Sequence, residues 1–238
     1  MVDMANIQKL ARQAFKTFRS VEKPPTKENL DTLKEMMSTI TVNDVNLSRP
    51  NTRRRSFVHH FAPVTHVNII DCSYFSMAIF IVDHGCRLPL HNHPGMYGFC
   101  KVLYGQIEVE MYSPLKSEQD TNGIISKNDE YEKFLYQGKH QFDSKSVLCT
   151  VTPCNGNLHS ISAVSGPAAF LDILGPPYSS DEGRDCIYYK KCCLTNEESS
   201  NLRYLKEIPC PPDFFCDSQN YTGPKVTIED LIENGNEG

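Results

Sequence analysis

No apolar run in this 238-residue chain approaches the roughly 20 residues needed to span a bilayer as a helix. The chain shows no compact apolar region of the secretory kind near its start, and its ten cysteines show no repeated Cys-x-x-Cys spacing. Without such a leader the cysteines read as free thiols of a reducing compartment, so the cytosol is the expected location. Excess positive charge is missing too. A net charge of −5 argues against nucleic acid as the main partner, because neutralising phosphates takes a basic surface. Arg53-Arg54-Arg55 is a short basic run that a solvated loop explains.

What is present is enough apolar residue, 39% of the chain, for a sizeable core in one large domain or one domain with an extension. Ile7, Leu10, Ala11, Ala14, Phe15 and Phe18 fall at helical spacing and predict an amphipathic helix that Pro24-Pro25 ends. Lys9, Arg12, Lys16 and Arg19 make this segment basic, which also fits a mitochondrial presequence. Low serine content and a second helical pattern directly after it favour an ordinary helix. Thr26 can cap that second helix, with Leu30, Leu33, Met37 and Ile40 facing inward. Residues 1–45 are therefore expected to form a helical extension.

From Val67 onward, short β-branched and aromatic runs recur between turn signals. Strands are expected near 67–70, 74–82, 87–91, 97–104, 107–112, 146–152, 158–164, 168–174 and 186–190. Such a series suggests an all-β sandwich or barrel over residues 46–226. Asn51 to Pro63 and Lys116 to Asp129 read as loops, and 227–238 as a flexible acidic tail.

The chemistry concentrates in Gly85-Cys-Arg-Leu-Pro-Leu-His91-Asn-His93-Pro-Gly-Met-Tyr97-Gly98. On a strand, positions i and i+2 share a face, so both imidazoles can reach one ion. By itself a His-x-His pair more often describes a solvated turn. Here it is framed by Gly85, by Pro94-Gly95 and by Gly98 and Gly105, and Pro153-Cys-Asn-Gly156-Asn-Leu-His159 offers a third imidazole from a distant strand. Imidazole suits zinc, copper, iron and nickel, and the ligands do not choose among them.

The spacing Gly-x5-His-x-His, followed much later by Gly-x2-His, resembles the two metal motifs of the cupin superfamily. Many cupins carry a glutamate shortly after His-x-His, where this chain has Tyr97 and Gly98; that departure resembles the thiol dioxygenases. More narrowly, Leu-Pro-Leu-His-Asn-His-Pro-Gly-Met, Leu-Asp172-Ile-Leu-Gly-Pro-Pro-Tyr178, Gly-Arg-Asp-Cys186-Ile-Tyr188-Tyr and Gly223-Pro-Lys together resemble the family of cysteamine (2-aminoethanethiol) dioxygenase and the plant cysteine oxidases. The resemblance implies a cupin-type double-stranded β-helix, a jelly roll with the N-terminal helices packed outside. It implies one Fe(II) per chain on His91, His93 and His159, dioxygen as co-substrate, and a sulfinic acid product.

Three neutral imidazoles leave a ferrous ion its full charge and about three open positions, for a thiolate, a neighbouring amine and dioxygen. The family suggests two substrate classes, cysteamine and proteins with an N-terminal cysteine, the latter linking oxygen to N-degron turnover. Other classes of function fit the same ligands: a zinc cupin hydrolase or isomerase, or a metal-binding sensor without turnover. Asp172, on an apolar strand, reads either as an acid bonded to backbone or as an acceptor that orients a ligand or substrate amine. Cys186 and Tyr188 share a strand face; packing explains them, and the family adds a thioether between them. Tyr97 and Tyr178 are expected to line the pocket. His59, His60, His66, His84 and His140 are read as surface or structural, and Cys192, Cys193, Cys210 and Cys216 as scattered thiols. No second chain is expected.

Overall fold

The computed structural model describes residues 4–20, 23–48, 62–115, 131–192 and 201–232. Two helices come first, α1 (Asn6–Phe18) and α2 (Lys27–Ser38). Thr26 caps α2 as expected, its hydroxyl accepting from the Asn29 amide. Strands follow in order: β1 (Val64–Asp71), β2 (Ser76–Val82), β3 (Arg87–Asn92), β4 (Tyr97–Tyr104), β5 (Gln106–Pro114) and β6 (Glu132–Asp143). The remainder are β7 (Cys149–Val151), β8 (Leu158–Ala163), β9 (Ala168–Gly175), β10 (Tyr188–Lys191), β11 (Leu202–Ile208) and β12 (Cys216–Ser218), before a short helix α3 (Ile228–Ile232).

The strands form two sheets, as a jelly roll requires. One runs β12-β1-β2-β9-β4-β7; the other runs β10-β11-β6-β5-β8-β3 and closes on itself where Tyr188 of β10 meets His91 of β3. Strand alternation then sorts the side chains. Cys100 and Val102 of β4, Ala168 and Phe170 of β9, and Ile161 of β8 fill the space between the sheets. Phe99 and Leu103, one residue out of phase, face outward with Leu171 and Ile173 and meet the helices. Ile7, Leu10, Leu33 and Met37 are fully buried there. The helical extension thus shares a core with the sheet. The Phe18 ring sits so close to Gly175 that a Cβ at that glycine would lie 2.4 Å from it.

Three expectations need correction. Residues 132–143 form β6, the longest of the described strands, which carries His140; it escaped notice because Gly138 and His140 interrupt the inward face of Phe134, Tyr136 and Phe142 and the other face is mostly polar. β11 and β12 were likewise not expected. The start of the acidic tail is helical: Leu231 is buried, Asp230 accepts from the Thr227 amide, and the Asp230 carbonyl accepts two hydrogen bonds from Arg12. The loops expected around 51–63 and 116–129, with Arg53–Arg55, His59 and His60, fall almost wholly outside the described residues, as does Cys193. Among the described residues no helix is long and apolar enough to cross a membrane.

Candidate metal centre

β3 and β8 run antiparallel with His91 directly opposite His159, so two imidazoles from distant segments meet across one ladder. His93 lies just past the end of β3. There Gly95, at φ 69°, turns the chain, a conformation that a side chain would strain. The His93 amide donates to the Asn157 carbonyl at 2.9 Å, and the Asn157 side chain donates back to the His93 carbonyl. This exchange ties the turn to the approach of β8. Gly156, at φ 63°, makes that approach possible, with its amide held by Ser113 Oγ at 2.8 Å.

The three rings are buried, their centroids 4.7–4.9 Å apart, and their ligand atoms all lie within 4.8 Å of one another. Outer partners decide which nitrogens point inward. His91 Nδ1–H donates to the Pro89 carbonyl at 2.8 Å, leaving Nε2 free. Tyr178 donates its single proton to the Asn92 carbonyl at 2.7 Å, so its oxygen accepts from His93 Nδ1–H at 2.9 Å. His93 Nε2 then faces His159 Nε2 at 3.2 Å. Two nitrogens each about 2.1 Å from a common ion, at angles between octahedral and tetrahedral, stand about 3.0–3.4 Å apart. The pair therefore fits a shared metal. Burial holds all three imidazoles below their ordinary pKa, with the neighbouring rings reinforcing the shift at His93 and His159. They are neutral at pH 7, as ligands must be.

Among the described residues no carboxylate joins this cluster. Gly98 faces the interior with no side chain to offer, and a Cβ there would sit 2.6 Å from Val151. Tyr97 lies on the opposite parity and packs against the helix-side core, so it does not line the cavity. Its expected place on the pocket wall is corrected by strand alternation.

The remaining expected residues do converge. His91, His93, His159, Asp172, Tyr178, Cys186 and Tyr188 line one cavity of about 200 Å³ between the sheets. Asp172, level with Ala78 of β2 and Cys100 of β4, has no hydrogen-bond partner among the described residues. Burial pushes its carboxyl up to about 7. Cys186 lies within bonding reach of both the Tyr178 and Tyr188 hydroxyls, and burial raises its thiol. Leu174 of the Asp172 motif supplies an apolar wall, together with Phe80, Phe170 and Phe214, which the motifs did not announce. Asn92 and Asn157 were missed as well. Each sits beside a motif histidine, and only the fold reveals what it holds. His66 packs on Phe80 with ring centroids 5.1 Å apart, and His140 bonds the Gln137 carbonyl, so neither joins the centre.

Fold and site define a β-sandwich protein with a carboxylate-free three-histidine centre, a trait of the thiol-oxidising branch that the motifs resemble. Residues 36–226 match the family model PCO_ADO, and the chain belongs to that family. It is 34% identical to the 2-aminoethanethiol dioxygenase of Mus musculus, over 92% of this chain and 96% of that protein. The Homo sapiens protein of the same name is 32% identical with the same coverage. Plant cysteine oxidase 1 of Arabidopsis thaliana is 28% identical over 85% of this chain and 73% of that one.

Proposed function

We propose that this chain is a thiol dioxygenase that uses Fe(II) and dioxygen to convert a thiol beside a free amine to a sulfinic acid. The observation that carries the reading is the trio of inward-facing imidazoles without a carboxylate, next to an unpartnered Asp172, in a chain of the PCO_ADO family. His91, His93 and His159 would hold the metal. When bound, Fe(II) supplies a cation that favours the thiolate form and a place for thiolate and dioxygen to meet.

The chain's own residues do the rest. Pro89, Tyr178 and the Asn92 carbonyl fix the tautomers of His91 and His93, so that neither ring has to reorient. Asp172, ionised, accepts hydrogen bonds from the substrate ammonium and orients the sulfur beside the imidazoles. Phe80, Phe170 and Leu174 exclude water. Cysteamine and an N-terminal cysteine present the same aminothiol, so both fit this recognition. Oxidation of protein N-termini would link oxygen to N-degron turnover. We place the chain in the cytosol, as a monomer. In the same reading, Cys186 and Tyr188 become joined by a thioether.

The test supplies an Fe(II)-loaded chain with cysteamine and, separately, with a peptide beginning in cysteine. Gain of two oxygen atoms by mass is expected in at least one case. Absence of oxygen uptake with both would refute the reading.

A further inference from the structure

The strand register brings together two thiols that lie outside the ligand set, Cys186 and Cys210. β10 and β11 pair antiparallel as Tyr188 with Ile208, Tyr189 with Glu207, Lys190 with Lys206 and Lys191 with Leu205. The ladder's last pair is Tyr188 with Ile208; counted two residues further, its register places Cys186 against Cys210 just beyond the paired strands. Residues opposed in such a ladder have Cα atoms about 4.5–5.5 Å apart, inside the range of about 4.4–6.8 Å that a disulfide spans. The side chains agree with the register. Cys210 reaches the Tyr188 hydroxyl, the same phenol that Cys186 approaches from the cavity side, and the two thiols act on each other electrostatically.

Access is asymmetric. Cys210 is exposed, with its thiol against the Pro211 and Phe214 carbonyls, while Cys186 is half-buried on the cavity wall. Phe214, which lines the cavity, lies within the same short segment as Cys210, with its ring 6.0 Å from Tyr188.

We propose that Cys186 and Cys210, in chains whose Cys186 is still a free thiol and not yet joined to Tyr188, form a reversible cross-strand disulfide beside the cavity, which ties down the segment carrying Phe214 and withdraws Cys186 from Tyr188. The oxidant is a low-molecular-weight disulfide such as oxidised glutathione. The exposed Cys210 thiolate attacks one glutathione sulfur, forming a mixed disulfide and releasing one glutathione thiolate. The Cys186 thiolate then attacks the Cys210 sulfur, closing the bridge and releasing the second. Two protein thiols lose two protons and two electrons, and one glutathione disulfide becomes two glutathiones. The effect on turnover rests on the dioxygenase reading; the bridge itself does not.

The full-length, metal-free chain is equilibrated in glutathione buffers of increasing oxidised fraction, alkylated, and weighed intact. A loss of two hydrogens that dithiothreitol reverses is expected, with the Cys186 peptide linked to the peptide containing Cys210. Cys210→Ser abolishes the link and Cys216→Ser retains it. In the Fe(II)-loaded chain, thiol oxidation falls in proportion to the bridged fraction and returns on reduction, whereas Cys210→Ser works at the wild-type rate and ignores oxidised glutathione. A Cys210–Cys216 link, glutathione stranded on Cys210 beside a free Cys186, or a bridged chain with undiminished turnover would each overturn the proposal. The mass readout needs no turnover, so loss of the bridge and loss of the dioxygenase reading are separable.

Discussion

Replacing Tyr178 with Phe removes one oxygen and leaves the ring, so it isolates the bond that orients His93. In the wild type that oxygen accepts from His93 Nδ1–H at 2.9 Å and donates to the Asn92 carbonyl at 2.7 Å. Both partners are buried, and after the change the Nδ1–H donor has nowhere to go. An unsatisfied buried donor costs about 1–3 kcal/mol. At about 1.4 kcal/mol per decade that corresponds to a weakening of roughly 5- to 150-fold, consistent with the roughly 10–100-fold loss typical when a ligand's outer partner is removed. Anaerobic competition between the protein and a chromogenic chelator measures Fe(II) affinity directly, without turnover. Tyr178→Phe should bind Fe(II) more weakly by one to two decades. Cys186→Ala, which leaves the His93–Tyr178 bond intact, should bind as the wild type does. Equal affinity in Tyr178→Phe and wild type would show that the hydroxyl does not hold the ligand, and the tautomer assignment would fail with it.

Four further outcomes are expected. Because burial raises Asp172 to about 7, its carboxyl gains a charge for the substrate ammonium only as pH climbs through that value. The kcat/KM should therefore rise with pH across neutrality, and Asp172→Asn should lower kcat/KM and remove that limb. The same shift runs the other way for stability: the contribution of Asp172 is favourable below its ordinary 3.8 and is lost as pH rises through about 7, so denaturant titrations of Asp172→Asn should lack that decline. Leu10→Ala in α1, at a fully buried position, should cost about 2–5 kcal/mol and lower Tm by roughly 4–20 °C by calorimetry; a change of under a degree would mean that the helices are not part of the core. The iron-loaded chain after turnover should lack two hydrogens in a form that dithiothreitol does not reverse, with Cys186 and Tyr188 in one linked peptide, and separate peptides throughout would exclude the thioether.

The metal centre was legible because its residues carry their own local code. His91 and His93 sit in a glycine-framed turn and His159 follows Gly156, so turn chemistry marked all three as candidates and the resemblance of those two motifs to a known family joined them into one site. Most strands announced themselves through β-branched runs. β6 did not, because Gly138 and His140 interrupt the alternation of Phe134, Tyr136 and Phe142, and the Lys, Gln, Glu and Asp residues around them read as loop. Tyr97 misled for a different reason. Its distance along the chain from His93 fitted a pocket position, but parity in β4 turned it toward the helices. Tyr178 was expected as wall and emerged as the partner of His93. That role depends on the loop after β9 returning to β3, a tertiary fact with no local signature.

The central claim is tested most directly by loading the chain anaerobically with Fe(II), counting metal per chain, and then admitting oxygen with an aminothiol. The account predicts one ion per chain and a thiol product heavier by two oxygen atoms, with binding and product lost together in His91→Ala, His93→Ala and His159→Ala. Retention of iron and turnover by His159→Ala, or a chain that binds zinc and takes up no oxygen when loaded with iron, would contradict it.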